Sequence, residues 1–158
     1  VQSGDIVLFA FGEIDVRVHL DKWTRLRGVD EETSRLAQAY ITTISHYTKN
    51  LTKVSAWIHG IVPPTDQAYN PNFPFNGQLS DRVNYTRILN AKIEKLCHNN
   101  TEIEFIDFYK LYANSVGVLI PSLSDRSVHI GTYLVQSRQQ IADLVRKHYI
   151  RHQIALIK

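Results

Sequence analysis

The spacing of apolar residues changes sharply from segment to segment, and each change predicts an element. Residues 6–11 (IVLFAF) form an unbroken β-rich apolar run, the pattern of a strand buried on both faces. From Glu13 the chain alternates strictly: Glu13, Asp15, Arg17 and His19 against Ile14, Val16, Val18 and Leu20. That period predicts an extended segment with one polar and one apolar side. A helix follows, capped by Asp30 or Thr33, with the apolar stripe Ala37, Tyr40, Ile41, Ile44 and Tyr47. Residues 54–62 (VSAWIHGIV) read as a second buried strand, ended by Pro63 and Pro64, which cannot continue a ladder.

A long loop rich in Asn, Pro and aromatics runs over residues 65–78. Ser80 is placed to cap the next helix, where Tyr85, Leu89, Ile93 and Leu96 recur at helical spacing. Residues 103–107 (IEFID) predict a third strand and residues 108–112 a short helical turn. A loop with Gly117 and Pro121 leads to a last helix over about residues 132–152, with Leu134, Ile141, Val145 and Tyr149 on one face. Its other face carries Arg138, Arg146, Lys147 and Arg151, read as a solvated surface, with an anionic lipid or polymer as the alternative partner.

The order β-α-β-α-β-loop-α predicts an α/β fold, a parallel sheet covered by helices on both faces. Three strands are few for such a sheet, which typically has about 5–6. The chain also has no methionine, so we expect an N-terminal βα unit to be missing from it, while residues 1–158 form a single domain. With 44% apolar residues it can close its own core. A single cysteine, Cys97, excludes a disulfide framework and a cysteine zinc site; beside an apolar stripe it reads as a small hydrophobe. Eighteen basic against 15 acidic residues leave a net charge of +3, too balanced to call for nucleic acid without a local patch. No apolar run approaches the roughly 18 residues of a membrane span. The lone thiol points to the cytoplasm, and the three Asn-x-Ser/Thr sequons at Asn50, Asn84 and Asn99 do not by themselves indicate secretion.

In open α/β sheets the ligand sits beyond the carboxyl ends of the strands, near a reversal of strand order, so candidate chemistry is sought there. After the first strand stand Gly12, Glu13, Asp15, Arg17 and His19. On one edge their side chains suit a proton relay, a phosphate-like anion or a sugar; the plainer alternative is a wet face with paired charges. Carboxylates this close to Arg17 are expected to be ion-paired rather than metal-bound, so neither a metal nor a cofactor is expected. After the second strand come Asp66 and the rings of Tyr69, Phe73 and Phe75, suited to stacking on a sugar or to folding back on the core. Before the last helix, Asp125 precedes His129 by four residues. A carboxylate that orients an imidazole makes a general base; alternatively, Asp125 bonds only backbone amides of its loop. His46, His59, His98, His148 and His152 receive no role, His59 reading as a satisfied core histidine.

Three features coincide: Phe11-Gly12-Glu13-Ile14-Asp15 after a strand, a parallel α/β order, and an Asp/His segment before the last helix. Together they resemble the SGNH/GDSL hydrolase superfamily over roughly residues 5–150. The strings FGEIDVR, VPPTD, FPFNGQLSDRVNYTRILN and LSDRSVHIG are similar to those of an uncharacterised SGNH-like group. The resemblance implies a flavodoxin-like three-layer α/β/α fold. It also implies a Gly-x-Asn-Asp motif whose Asn donates to an oxyanion; Gly12 and Asp15 match it, but Ile14 stands where the Asn would be. In the family's late Asp-x-x-His, His129 fits, while Arg126 stands three before it and Asp125 one step further back. The family's Gly-Asp-Ser nucleophile, and the Gly of its next motif, are expected ahead of Val1.

These readings converge on a hydrolase or acyl-transfer enzyme acting on a carbohydrate ester of a small molecule or polysaccharide. His129 is the expected general base with Asp125, and Gly12, Glu13, Asp15, Arg17, His19 and Asp66 line the substrate pocket. Two alternatives stay open: a group transferase that activates a sugar hydroxyl without a serine nucleophile, and a catalytically inactive sugar-binding or interaction module.

Overall fold

A computed structural model of the chain describes its residues apart from 3, 52–53, 67–69, 101, 126, 132–134 and 158, with the backbone alone at 135, 137, 152 and 155–157. Tyr69, Arg126, Thr132 and Leu134 of the sequence reading therefore lie outside the described residues. Three strands, β1 (Ile6–Ala10), β2 (Ser55–His59) and β3 (Ile103–Ile106), pair in parallel in the order β1-β2-β3. Ile6 stands beside Ser55, and Ala56 beside Ile103. A π-helical stretch (Asp15–His19), α1 (Leu20–Arg27) and α2 (Val29–Thr48) join β1 to β2, and α3 (Leu79–His98) joins β2 to β3. The short α4 (Tyr109–Tyr112), a 3-10 turn (Pro121–Leu123) and α5 (Val135–Ile157) follow.

Two cores explain the layering. On one face, Ala37, Ile41 and Ile44 of α2 and Tyr85, Leu89 and Ile93 of α3 pack against Ala56 and Ile58. On the other, Trp57 and Ile106 meet Phe108, Tyr112, Leu119 and Ile130, with Ile141, Leu144 and Val145 of α5 packed on the outside. Fully burying each large apolar side chain contributes roughly 1.5–3 kcal/mol, so both helical layers are held to the sheet. The result is the three-layer α/β/α arrangement expected. The His148 ring bonds the Glu104 carboxylate and meets Trp57 edge-on at 6.2 Å, which fixes α5 along β3. At the α1–α2 junction, Glu32 is 1% exposed and takes bonds from Arg27 and Arg35 at 2.8 and 2.6 Å. The Arg35 bond foremost holds its carboxyl below the usual range.

Four expectations need correction. The segment after Gly12 is helical, not extended. A period-2 pattern contains every i,i+4 pair of a helix, and only Val16 and Leu20, one such pair, are buried (3% and 1% exposed). Ile14 is 57% exposed. Secondly, β1 lies at the sheet edge, and Leu8 and Ala10 are exposed rather than buried on both faces. Thirdly, Gly28 and Gln78 precede the helices without side-chain caps; Thr33 instead bonds back to Val29 O at 2.6 Å inside α2. Tyr47 and Tyr149 are exposed members of their stripes. Finally, the described strands run in sequence order, so no reversal marks the ligand position. Among the described residues, no helix is long and apolar enough to cross a membrane.

Candidate active site

The site is built where β1 and β2 end. Two residues past the end of β1 stands Gly12, whose φ of +92° is left-handed; a Cβ there would stand 2.6 Å from Ile61 Cδ1. Only glycine accepts both that dihedral and that approach. Val16 N–H then bonds Gly12 O at 3.0 Å and starts the helical stretch. Beyond β2, Ile61 leaves the ladder, and buried Asn90 of α3 takes over its backbone. Asn90 Oδ1 accepts from Ile61 N–H and Asn90 Nδ2 donates to Ile61 O, both at 2.8 Å. This two-way clamp holds the wall between two chambers.

The larger chamber is a cleft of about 490 Å³ lined by Gly12, Glu13, Asp15, His59, Ile61 and His129, among others. Each of its ionisable groups has a fixed partner. The Glu13 carboxylate accepts from Arg17 Nε at 2.5 Å and Nη2 at 3.4 Å. Asp15 accepts from the Tyr40 hydroxyl. Burial and that carboxylate raise the Tyr40 phenol well above its ordinary value, so it remains a donor. His129 Nδ1 lies 3.2 Å from Asp125 Oδ2. A carboxylate only accepts, so Nδ1 carries the proton and Nε2 of the neutral ring is the acceptor. Asp125 Oδ1 meanwhile takes the amides of Ser127 and His129 at 2.7 and 3.2 Å, so the loop-capping and ring-orienting readings hold together. Phe73 meets the His129 ring edge-on at 5.6 Å.

The smaller chamber shares Glu13 and Ile61 with the cleft and has about 30 Å³ open to water-sized atoms. Arg17, Arg82, Phe73 and Phe75 line it. The loop carrying the two rings is held against the helical stretch, since Asn76 bonds Arg17 O and Val18 O at 2.8 and 2.7 Å. Both rings thus line the cavity.

The predicted site residues fall into three groups. Gly12, Glu13, Asp15 and His129 share the cleft, with Asp125 behind His129. Arg17 lines the adjoining cavity. Exposed His19 and Asp66 line neither. Sequence reasoning missed Asn90, Arg82 and His59. His59 stacks on Phe108 with centroids 3.9 Å apart and donates from Nδ1 to Gly60 O at 2.7 Å. Burial holds its pKa below 6.5, so at neutral pH the ring is uncharged. Its place at the last residue of a strand was the available signal. Cys97 is buried and its thiol is pushed up to about 12, as suits a small hydrophobe. Among the described residues, no three His, Cys, Asp or Glu side chains gather where they could hold one metal ion.

No family model matches the chain, and no curated protein does. Among solved structures, the chain is similar to one described as "a putative platelet activating factor from Streptococcus pneumonia", with a TM-score of 0.60 and 12% identity. The match covers 91% of this chain and 59% of that one, so the chain spans well under two thirds of its length. At that identity the likeness shows the fold alone.

Proposed function

We propose that the chain is an SGNH-like domain over residues 1–158 that hydrolyses a carbohydrate ester. One observation carries the reading: the Asp125–His129 pair stands on the same cleft as Gly12, Glu13 and Asp15, beyond the carboxyl ends of β1 and β2. His129 Nε2 takes a proton from water as the water oxygen forms a bond to the ester carbonyl carbon. The tetrahedral adduct then expels the sugar alkoxide, the imidazolium returns the proton to it, and acid and alcohol leave. Asp125 keeps the tautomer and stabilises the imidazolium. A serine hydroxyl in place of water would lose its proton to the same nitrogen, and a sugar hydroxyl would make the reaction a transfer.

The exposed Ile14, which has no side-chain donor for an oxyanion, favours a second reading: a sugar-binding module without turnover. One assay separates the two. Acetate release from acetylated sugars and p-nitrophenyl acetate is measured for the wild-type chain and for His129→Ala. Hydrolysis predicts a loss of at least about 100-fold in the variant, with its Tm unchanged. Equal turnover in both removes His129 from the chemistry, and none in either selects the binding module.

A further inference from the structure

The smaller chamber holds a charge imbalance that the proposed hydrolysis does not use. Two guanidiniums, Arg17 and Arg82, and one carboxylate, Glu13, line it, leaving one positive charge over. Glu13 is taken by Arg17, which binds it through two nitrogens. Arg82 is 4% exposed, and among the described residues no carboxylate lies within ion-pair distance of it. Its bonds go to two carbonyls, Gly77 O at 3.1 Å and Thr65 O at 3.3 Å, while Phe75 lies 4.3 Å from the guanidinium. A guanidinium has five N–H groups, so three have no hydrogen-bond partner among the described residues. Burying a cation away from a paired carboxylate is costly; desolvation, with Arg17 beside it, lowers the Arg82 pKa, and Asp81, next to it in the chain, offsets this only in part. A cavity open to water-sized atoms is where such a charge finds an anion. Its roughly 30 Å³ suits a head group rather than a whole sugar.

We propose that Arg82, with Arg17 beside it, binds an oxyanion, the carboxylate or phosphate substituent of a ligand whose body occupies the adjoining cleft. The cleft and cavity share Glu13, Ile61 and Val62, so one ligand can span both. The anion site stands on its own geometry; the substrate class, the ester of an acidic sugar, rests also on the hydrolase reading of the cleft.

The test follows Tm and calorimetric binding of the whole chain with acetate, inorganic phosphate, glucuronate and glucose at constant ionic strength. Acetate, phosphate and glucuronate should raise Tm, glucuronate most, and glucose should not. Arg82→Gln should weaken anion binding at least tenfold. Because Arg82 also bonds two carbonyls, Ser127→Asp provides a second variant that places a carboxylate in the cavity lining and leaves Arg82 intact. It should abolish the anion response while raising Tm in anion-free buffer. No anion response in the wild type, or an undiminished one in Ser127→Asp, overturns the site. A phosphate response without a glucuronate response identifies a phosphate substituent. Anion binding combined with equal kcat/KM for charged and neutral acetyl esters overturns the acidic-sugar class alone.

Discussion

The two neighbouring chambers differ in how their polar groups are satisfied. In the cleft, Glu13 has Arg17, Asp15 has Tyr40, His129 has Asp125 and His59 has Gly60 O. In the cavity, among the described residues, Arg82 has carbonyls and an aromatic face but no ion-paired carboxylate. Paired groups are fixed in orientation, which proton transfer requires. An uncompensated cation is what anion binding uses, because the anion completes it. Under the proposed reading, one chamber carries the chemistry and the other the anchoring.

The largest expected effect comes from Asp125→Asn. It removes the carboxylate that holds His129 yet keeps an oxygen for the Ser127 and His129 amides. Turnover of p-nitrophenyl acetate should fall about 100-fold or more, while anion binding at Arg82 persists. Loss of both would show that the chambers are not separable.

The wall between them comes next. Asn90→Leu strands the N–H and C=O of Ile61, at about 1–3 kcal/mol each. Urea unfolding should report a loss of about 2–6 kcal/mol, and both chambers should lose function together. Gly12→Ala puts a Cβ 2.6 Å from Ile61 Cδ1, whereas Gly4, with a similar φ of +93°, has open space around it. Gly12→Ala should therefore cost about 1–3 kcal/mol more than Gly4→Ala, the usual range for overpacking. Equal losses would mean the wall yields freely.

The smallest effect is a pH slope. Burial lowers the His59 pKa below 6.5 in the folded chain, so the unfolded chain takes up the proton first as pH falls. The contribution of His59 is complete above 6.5, declines below it, and levels off once pH passes the folded-state value. Urea midpoints from pH 8 to 5 should fall less steeply in His59→Asn than in the wild type. Parallel curves would remove His59 from the acid response.

Much of the fold was legible because buried strands and amphipathic helices carry different periods. β2, β3, α2 and α3 lie where unbroken apolar runs and i,i+4 stripes put them. The Asp125–His129 pair was legible because both partners fall within one short loop. Residues 13–20 misled because alternation and i,i+4 spacing coincide over so short a stretch, and only Gly12 breaks the tie. Arg82 and Asn90 were not legible: they sit on α3, and their roles depend on Thr65 and Ile61, which are 17 and 29 residues away in sequence. His19 followed from an extended segment that the backbone does not adopt, and Asp66, in its expected loop, is exposed.

The claim on which the chemistry rests is that Asp125 leaves His129 Nε2 as a base. Long-range 15N NMR of the neutral His129 ring tests it directly. The account predicts the proton on Nδ1 in the wild type and a loss of that preference in Asp125→Ala. A wild-type ring protonated on Nε2 would present a donor to the cleft in place of a base, and would contradict it.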